Sequence, residues 1–440
     1  MKNVVGPATG LVPRVAALCK RLSASGLLVL VVLCAACGGP QSAVVAADAA
    51  SIPFAPTPDS DPFYAQPESM PEVPPGTVLR SRSTTVTPLL GVPLPYTAWQ
   101  IQYVSTDVNG RLQAVVATVV KPLMPSLAGQ PVLLAYQMAY DSLGSACTPS
   151  HTLSGSTNNI TNQLDSVAYL QAMLTQGWTL VFPDYEGPYS EYGAGVQAGR
   201  ATLDAIRAAL SFAPLGLAAK TPVAMWGYSG GALASSWAAS LQASYAPELN
   251  IVAVASGGTP TNTFNIVKHA ENGSYFSLIL GAVIGTNRAY PELIPPGFLN
   301  QKGLAMAQGM KDGCTGDTTD GSPAPTGTFA QYTTVEDPFS TPGARSVSAK
   351  TILPQPGKTP IANIYIYHAI KDQLLPIADT DTMVATWCAD GAHVSYYRDP
   401  VGQDHVSEFA AGADLAFAYL VGRLSGTPLT IVPPGSQTCN

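Results

Sequence analysis

From residue 131 onward the chain repeats one pattern, a short apolar run followed by a longer segment whose apolar residues recur at helical spacing. The runs PVLLAYQ, WTLVFPDYEG, PVAMWGYSGG and LNIVAVASGG are separated by SVAYLQAMLTQG, VQAGRATLDAIRAALS and ALASSWAASLQASYA. Short strands that alternate with amphipathic helices can bury their apolar surface only in layers. The pattern therefore predicts an α/β fold, a doubly wound, mostly parallel sheet with helices on its faces. Further on, IANIYIYHA and HVSYYRD predict two more strands and SEFAAGADLAFAYLVGRLSG a closing helix. Upstream, TAWQIQYVSTDVNGRLQAVVATVVKP reads as two β-rich runs around Asn109-Gly110, a strong hairpin signal, so the sheet begins antiparallel.

Between Gly257 and about Ser348 the alternation stops. Helical stretches such as FNIVKHAENGSYFSLILGAVIG and LAMAQGMKDGC sit between Pro/Gly-rich joints, with no convincing strand. An insertion of this length between two sheet strands predicts a helical cap or lid over residues 257–348, carried by a core of residues 76–256 and 349–440. Residues 38–75 are rich in Ala, Pro and Ser without helical or strand period, and predict an extended linker. Residues 1–37 carry Lys2, Arg14, Lys20 and Arg21 before the apolar LLVLVVLCAA, the order of an export signal. The run is too short for a comfortable membrane span. Ala35 and Ala36 before Cys37 resemble a bacterial lipoprotein box, in which Cys37 would be lipidated and would tether the protein to a membrane. Cys34 stands where such boxes usually carry leucine, so plain secretion is the alternative.

With 46% hydrophobic and 11% charged residues among 440, the chain can bury a large core. Its net charge of −7, with no basic run beyond the N-terminus, argues against nucleic acid and favours an uncharged or apolar partner. Of seven cysteines, Cys147, Cys314, Cys388 and Cys439 lie beyond the signal, and in an exported chain they predict two disulfides. Three connectivities are open; Cys147 with Cys314 and Cys388 with Cys439 is favoured, because the second would pin the C-terminal tail to the preceding helix. No cysteine or histidine pair has the spacing of a structural zinc site, and no metal or other cofactor is expected.

Residues 225–231, MWGYSGG, place G-x-S-x-G between the strand PVAMW and the helix former ALASSWAA. A tight strand-to-helix turn lifts a serine hydroxyl out of the sheet, and small neighbours let the backbones pass closely. Ser229 is thus a candidate nucleophile, and the Gly230 N–H at the helix start a candidate donor to an oxyanion. A serine needs a base steered by an acid, and in this arrangement the acid and then the base follow it in the chain. His151 and His269 fall outside that order or in the insertion, and His368 and His393 sit in strand-like runs. His405, on the polar loop of DPVGQDHVSEF, is the expected base. Asp372 in YIYHAIKDQLLP is the expected acid, with Asp379 and Asp404 as fallbacks. A second oxyanion donor is expected from the loop after PVLLAYQ, either the backbone N–H of Tyr140 or Asp141, or the Asp141 side chain if burial keeps it protonated.

Taken together, DPFY at 61–64, PGTVLRSR at 75–82, YQMAYDS at 136–142, VFPDYEGP at 181–188, GYSGGALAS at 227–235, KDQLLP at 371–376 and DHVSEF at 404–409 resemble the secretory lipase family of yeast lipase A type. The resemblance covers roughly residues 61–425. It implies an α/β-hydrolase fold with a helical cap and cofactor-free ester hydrolysis. It also implies a triad of Ser229, Asp372 and His405 with Gly230 and Asp141 at the oxyanion hole. The expected activity is that of an exported serine carboxylester hydrolase acting on acylglycerols or other lipid esters. A peptidase or polyester hydrolase on the same fold, or a surface binding protein without catalysis, are the alternatives.

Overall fold

Strands β1 (Val78–Thr84), β2 (Thr97–Thr106), β3 (Leu112–Lys121), β4 (Leu133–Gln137), β5 (Thr179–Pro183), β6 (Val223–Tyr228), β7 (Ile251–Gly257), β8 (Asn363–Ala369), β9 (Val394–Asp399) and β10 (Ser436–Cys439) join in one sheet. Their order is β1-β2-β3-β5-β4-β6-β7-β8-β9-β10. The computed structural model describes residues 51–87, 93–156, 158–159, 169–401, 404–427 and 436–439. The export signal with Cys37, and residues 38–50 of the expected linker, lie outside the described residues. Strands β4 to β9 pair in parallel, whereas β1-β2, β2-β3, β3-β5 and β9-β10 are antiparallel, so the expected doubly wound, mostly parallel sheet is what forms.

The β2-β3 hairpin forms where Asn109-Gly110 predicted it, but through the longer loop Asp107 to Arg111. Asp107 Oδ1 accepts from the backbone N–H groups of Asn109 and Arg111 at 2.8 and 2.9 Å and closes that loop. Strands β4, β5 and β6 are buried along their whole length, which is why they read as unbroken apolar runs. Alternation still sorts their side chains. Val223 and Met225 of β6 join the core beneath α1 (Gly195–Ser211) and α2 (Gly230–Tyr245). Ala224 and Trp226 face the opposite core, which α8 (His405–Leu424) and the helical stretch 169–175 complete.

Between β7 and β8 the chain forms α3 (Thr263–Ala270), α4 (Phe276–Ala289), α5 (Gln301–Met310) and α6 (Pro342–Thr351). This segment builds an apolar cluster around Phe276, Leu280, Met310 and Phe329, which also takes in Tyr192 and Leu374 from outside it. Helix α6 runs three residues past the expected boundary at 348, to Thr351. The next helix, α7 (Ile377–Ala389), separates β8 from β9.

Two features depart from the sequence expectations. The stretch 51–75 is not a free linker. Phe63 and Met70 are buried, Asp59 pairs with His151 at 2.6 Å, and the Gln66 side chain bonds both backbone groups of Ala114. Its anchors are widely spaced single side chains laid against β2 and β3, a mode of packing that needs no period. The second departure is at the sheet edges, where β1 and β10 extend the sheet and neither was read as a strand. β10 pairs antiparallel with β9 and is tied to α7 by Cys388–Cys439, with Cα atoms 5.7 Å apart. Cys147–Cys314, with Cα atoms 5.6 Å apart, ties the chain after β4 to the segment after α5. Both bridges fit unstrained Cα spacing.

A four-residue edge strand held by one neighbour depends on its covalent tie. Replacing Cys388 and Cys439 with serine should lower unfolding stability by about 2–4 kcal/mol. The check is urea denaturation, with carboxypeptidase trimming of the tail as a second readout. An unchanged midpoint and unchanged trimming would contradict the pinning role.

Candidate active site

Strand β6 ends at Tyr228 and α2 begins at Gly230, so Ser229 is the whole of the turn between them. It sits at φ 53°, ψ −120°, a backbone conformation rarely open to residues with a Cβ. The surroundings enforce it. A Cβ on Gly227 would stand 2.2 Å from the Gly231 carbonyl oxygen, and one on Gly231 would stand 1.9 Å from that of Gln137 in β4. Only glycine lets these backbones approach so closely, and the Ser229 N–H is anchored to Gly257 O of β7 at 2.9 Å. The side chain is left projecting at the C-terminal end of the sheet.

His405 meets it there. His405 Nε2 lies 2.8 Å from Ser229 Oγ, and Nδ1 lies 2.6 Å from Asp372 Oδ2. Because Nδ1 faces a carboxylate, it carries the proton and donates, which leaves Nε2 free to accept from the serine hydroxyl. His405 as a whole is 5% exposed, and its backbone is clamped on both sides. Its N–H donates to Gln373 Oε1 at 2.9 Å, and its carbonyl accepts from the Tyr228 hydroxyl at 2.5 Å. His405 was expected on a loop but is the first residue of α8, because Asp404 caps that helix by accepting from Ser407 N at 2.7 Å.

Asp372 lies on the turn after β8 with its side chain fully buried. Oδ1 accepts from the N–H groups of Leu374 and Leu375 at 2.9 and 2.7 Å. Burial pulls this carboxyl upward, but hydrogen bonds from His368 and His405 and their proximity outweigh it and hold the acid well below the usual carboxylate range. The fallback acids are engaged elsewhere. Asp379 Oδ1 accepts from Asn265 Nδ2 at 2.8 Å, and Asp404 serves its cap. Sequence reasoning set His368 aside as a strand residue. The structure puts its Nε2 3.3 Å from Asp372 Oδ2, and the signal that could have found it is the i, i+4 spacing of His368 and Asp372 across a strand end.

Asp141 follows β4 at φ 40°, and its carboxyl lies against the start of α2, with Oδ1 1.8 Å from where a Gly230 Cβ would be. Gly230 opens the helix, so its N–H has no partner in the preceding turn. Burial alone pushes the Asp141 carboxyl up to about 7. Glu186 and Glu191, which sequence reasoning also missed, lie in the loop after β5. Burial, then the nearness of the Asp141 carboxyl, drives Glu186 upward, and burial pushes Glu191 up to about 8. Arg288 spends its hydrogen bonds on carbonyls, including those of Leu143, Tyr189 and Lys311 at 2.7, 2.8 and 2.7 Å. From Ser229, Gly230 and Asp141 a cavity runs in among α3 to α6, lined by apolar side chains that include Phe264, Ile279, Val283, Phe298 and Phe329. Among the described residues no cluster of His, Cys, Asp and Glu is arranged to hold a metal ion.

The sequence pattern of the secretory lipase family matches residues 152–431. A Mycobacterium tuberculosis protein described as a probable inactive lipase is 33% identical over 380 residues, spanning 85% of this chain and 84% of its own length. A secreted triacylglycerol lipase of Malassezia furfur is 33% identical over 344 residues, spanning 77% of this chain and 70% of its own. Among solved structures, Candida antarctica lipase A in its closed state superposes with a TM-score of 0.77 at 27% identity, over 85% of this chain and 87% of that one.

Burial raises Asp141 and Asp184 to about 7, Glu191 to about 8 and Glu408 to about 9. Each therefore keeps its proton in the folded chain at pH values where the unfolded chain has released it. Folding takes up protons above pH 4, so the stability these groups contribute is present at low pH and lost as pH rises through 7 to 9. Calorimetric melting should show a lower Tm at pH 9 than at pH 5. A Tm that rises across that interval would contradict the assignment of these acids as buried and neutral.

Proposed function

Because the chain belongs to the secretory lipase family, we propose that it is an exported serine carboxylester hydrolase that cleaves acylglycerols or other lipid esters through an acyl-enzyme on Ser229. The observation that carries this reading is the unbroken line of hydrogen bonds from Ser229 through His405 to Asp372, at 2.8 and 2.6 Å. Ser229 Oγ attacks the ester carbonyl while its proton passes to His405 Nε2. Asp372, held as an anion, stabilises the imidazolium that results. The oxyanion takes the Gly230 N–H and the Asp141 side, where a carboxyl kept protonated by burial donates rather than repels. The intermediate collapses as His405 returns the proton to the departing alcohol. Water, deprotonated by the same imidazole, then releases the acid and restores Ser229. No cofactor enters any step.

The substrate class rests on the cavity. Its wall beyond Ser229 is apolar, which suits an acyl chain, and the helices of residues 257–348 form the cap over it. Two disulfides suit the oxidising compartment that an exported protein reaches. Lipidation of Cys37 would tether the enzyme to a membrane; mass spectrometry of detergent-extracted protein should show a lipid adduct on Cys37, and a wholly lipid-free chain in the medium would argue for plain secretion. A second reading, a protein that keeps the fold without catalysis, draws on the M. tuberculosis relative described as probable inactive.

Activity assays separate the readings. Purified protein should hydrolyse triglyceride emulsions and p-nitrophenyl esters but not peptide amides. Ser229→Ala and His405→Ala should nearly abolish turnover in folded protein, and Asp372→Asn should lower kcat by about 10⁴. Amide turnover without ester turnover would favour a peptidase. Equal activity in wild type and Ser229→Ala would reject the proposal.

A further inference from the structure

We propose that His368 is a positioning residue for Asp372, an inference that rests on reading Ser229, His405 and Asp372 as a catalytic triad. The Asp372 carboxylate divides its contacts by oxygen. Oδ1 takes the backbone N–H groups of Leu374 and Leu375, which fix the plane of the group. Oδ2 faces two imidazoles, His405 Nδ1 at 2.6 Å and His368 Nε2 at 3.3 Å. The oxygen that steers the base is thus shared with a second ring.

The chemistry of its neighbours settles which nitrogen of His368 carries the proton. Within reach of Nε2 are two acceptors, Asp372 Oδ2 and the Leu375 carbonyl at 3.1 Å. Nδ1 instead faces the hydroxyl of Thr380 on α7 at 3.1 Å, which can donate. A neutral ring with its proton on Nε2 satisfies every partner, whereas the other tautomer leaves a lone pair facing two oxygens. The 3.3 Å contact is long for a full hydrogen bond and is that of one N–H divided between two acceptors. His368 and Thr380 are both wholly buried, so no water competes for these bonds.

This arrangement acts on His405 through Asp372. A donor that takes up part of the Oδ2 charge leaves less of it for the imidazolium, so the base is held less tightly in its protonated form. Titratable groups around Asp372 come from every element packed there: Tyr228 from β6, Asp404 and Glu408 from α8, Asp399 at the end of β9 against Glu408, and His269 from α3, whose Nε2 lies 3.1 Å from the Gln373 carbonyl. The Tyr228 hydroxyl is engaged with the His405 carbonyl, Asp404 caps α8 at the surface, and Glu408 is buried in a form kept neutral to about 9. His368 is therefore the one described side chain besides His405 that donates to this carboxylate.

The test is the pH dependence of kcat/KM for a soluble p-nitrophenyl ester, with active sites counted by fluorophosphonate labelling. His368→Phe, which keeps the ring volume and removes the N–H, should lower kcat about tenfold with little change in KM. It should also move the acid limb of the profile to higher pH by about half a unit. His368→Gln, whose amide can supply the lost N–H, should recover both. Thr380→Val, which frees the tautomer, should shift the limb in the same direction by less. A folded His368→Phe with the wild-type limb and kcat would overturn the inference, as would a Gln variant no better than Phe, since a purely structural role predicts neither the shift nor the rescue. If His368→Phe does not fold, Thr380→Val decides, and a wild-type limb in that variant overturns it. An inactive Ser229→Ala beside an unaltered His368→Phe rejects this inference alone, whereas an active Ser229→Ala rejects the triad on which it rests.

Discussion

The candidate site of this molecule depends on how closely three backbone segments approach one another. The end of β6, the first turn of α2 and the last residue of β4 meet where Gly227 and Gly231 leave no room for a Cβ. Packed that tightly, the chain can pass from strand to helix in one residue, and that residue takes a conformation its Cβ disfavours. The packing of the sheet and α2 offsets that strain. Ser229 is therefore presented by the backbone, and its hydroxyl stands proud of the sheet before any partner is considered.

The sheet order then supplies the partners. Ser229 follows β6, Asp372 follows β8 and His405 follows β9, and these strands lie side by side as β6-β7-β8-β9 with parallel directions. Loops distant in sequence so converge at one end of the sheet, the usual place for sites in parallel α/β folds. Burial acts on every acid gathered there in the same direction, upward. Asp141, Glu186 and Glu191 meet too few donors to resist it, whereas Asp372 accepts from two backbone N–H groups and two imidazoles. One carboxyl is held as an anion among several held neutral, which suits one acid that steers a base and another that faces an oxyanion.

Much of this was legible in the sequence because it is written in local periodicity and in glycine. The parallel strands read as apolar runs since both faces are buried, and G-x-S-x-G announced the turn because no other residue fits at 227 and 231. The triad order followed from the arrangement, and each expected member lies within contact of the next. Less legible were features made by contacts between distant segments. The stretch 51–75 packs through isolated anchors such as Phe63 and Met70, which carry no period, and β10 is a strand only because β9 and a disulfide hold it. His368 looked like any strand residue, and its tie to Asp372 arises from a turn that brings the chain back upon itself. Glu186 and Glu191 carry no motif, and only the fold shows that both are buried and that Glu186 lies near Asp141.

The central claim is a covalent one, that the acyl group of an ester passes through Ser229 Oγ. It is tested most directly by quenching the purified protein in acid during turnover of a slowly deacylating ester, then sequencing its peptides by mass spectrometry. The account expects the acyl mass on the peptide that contains MWGYSGG, located at Ser229 and absent from His405→Ala. Sustained ester turnover with no adduct on that peptide, or with the adduct on another residue, would contradict it.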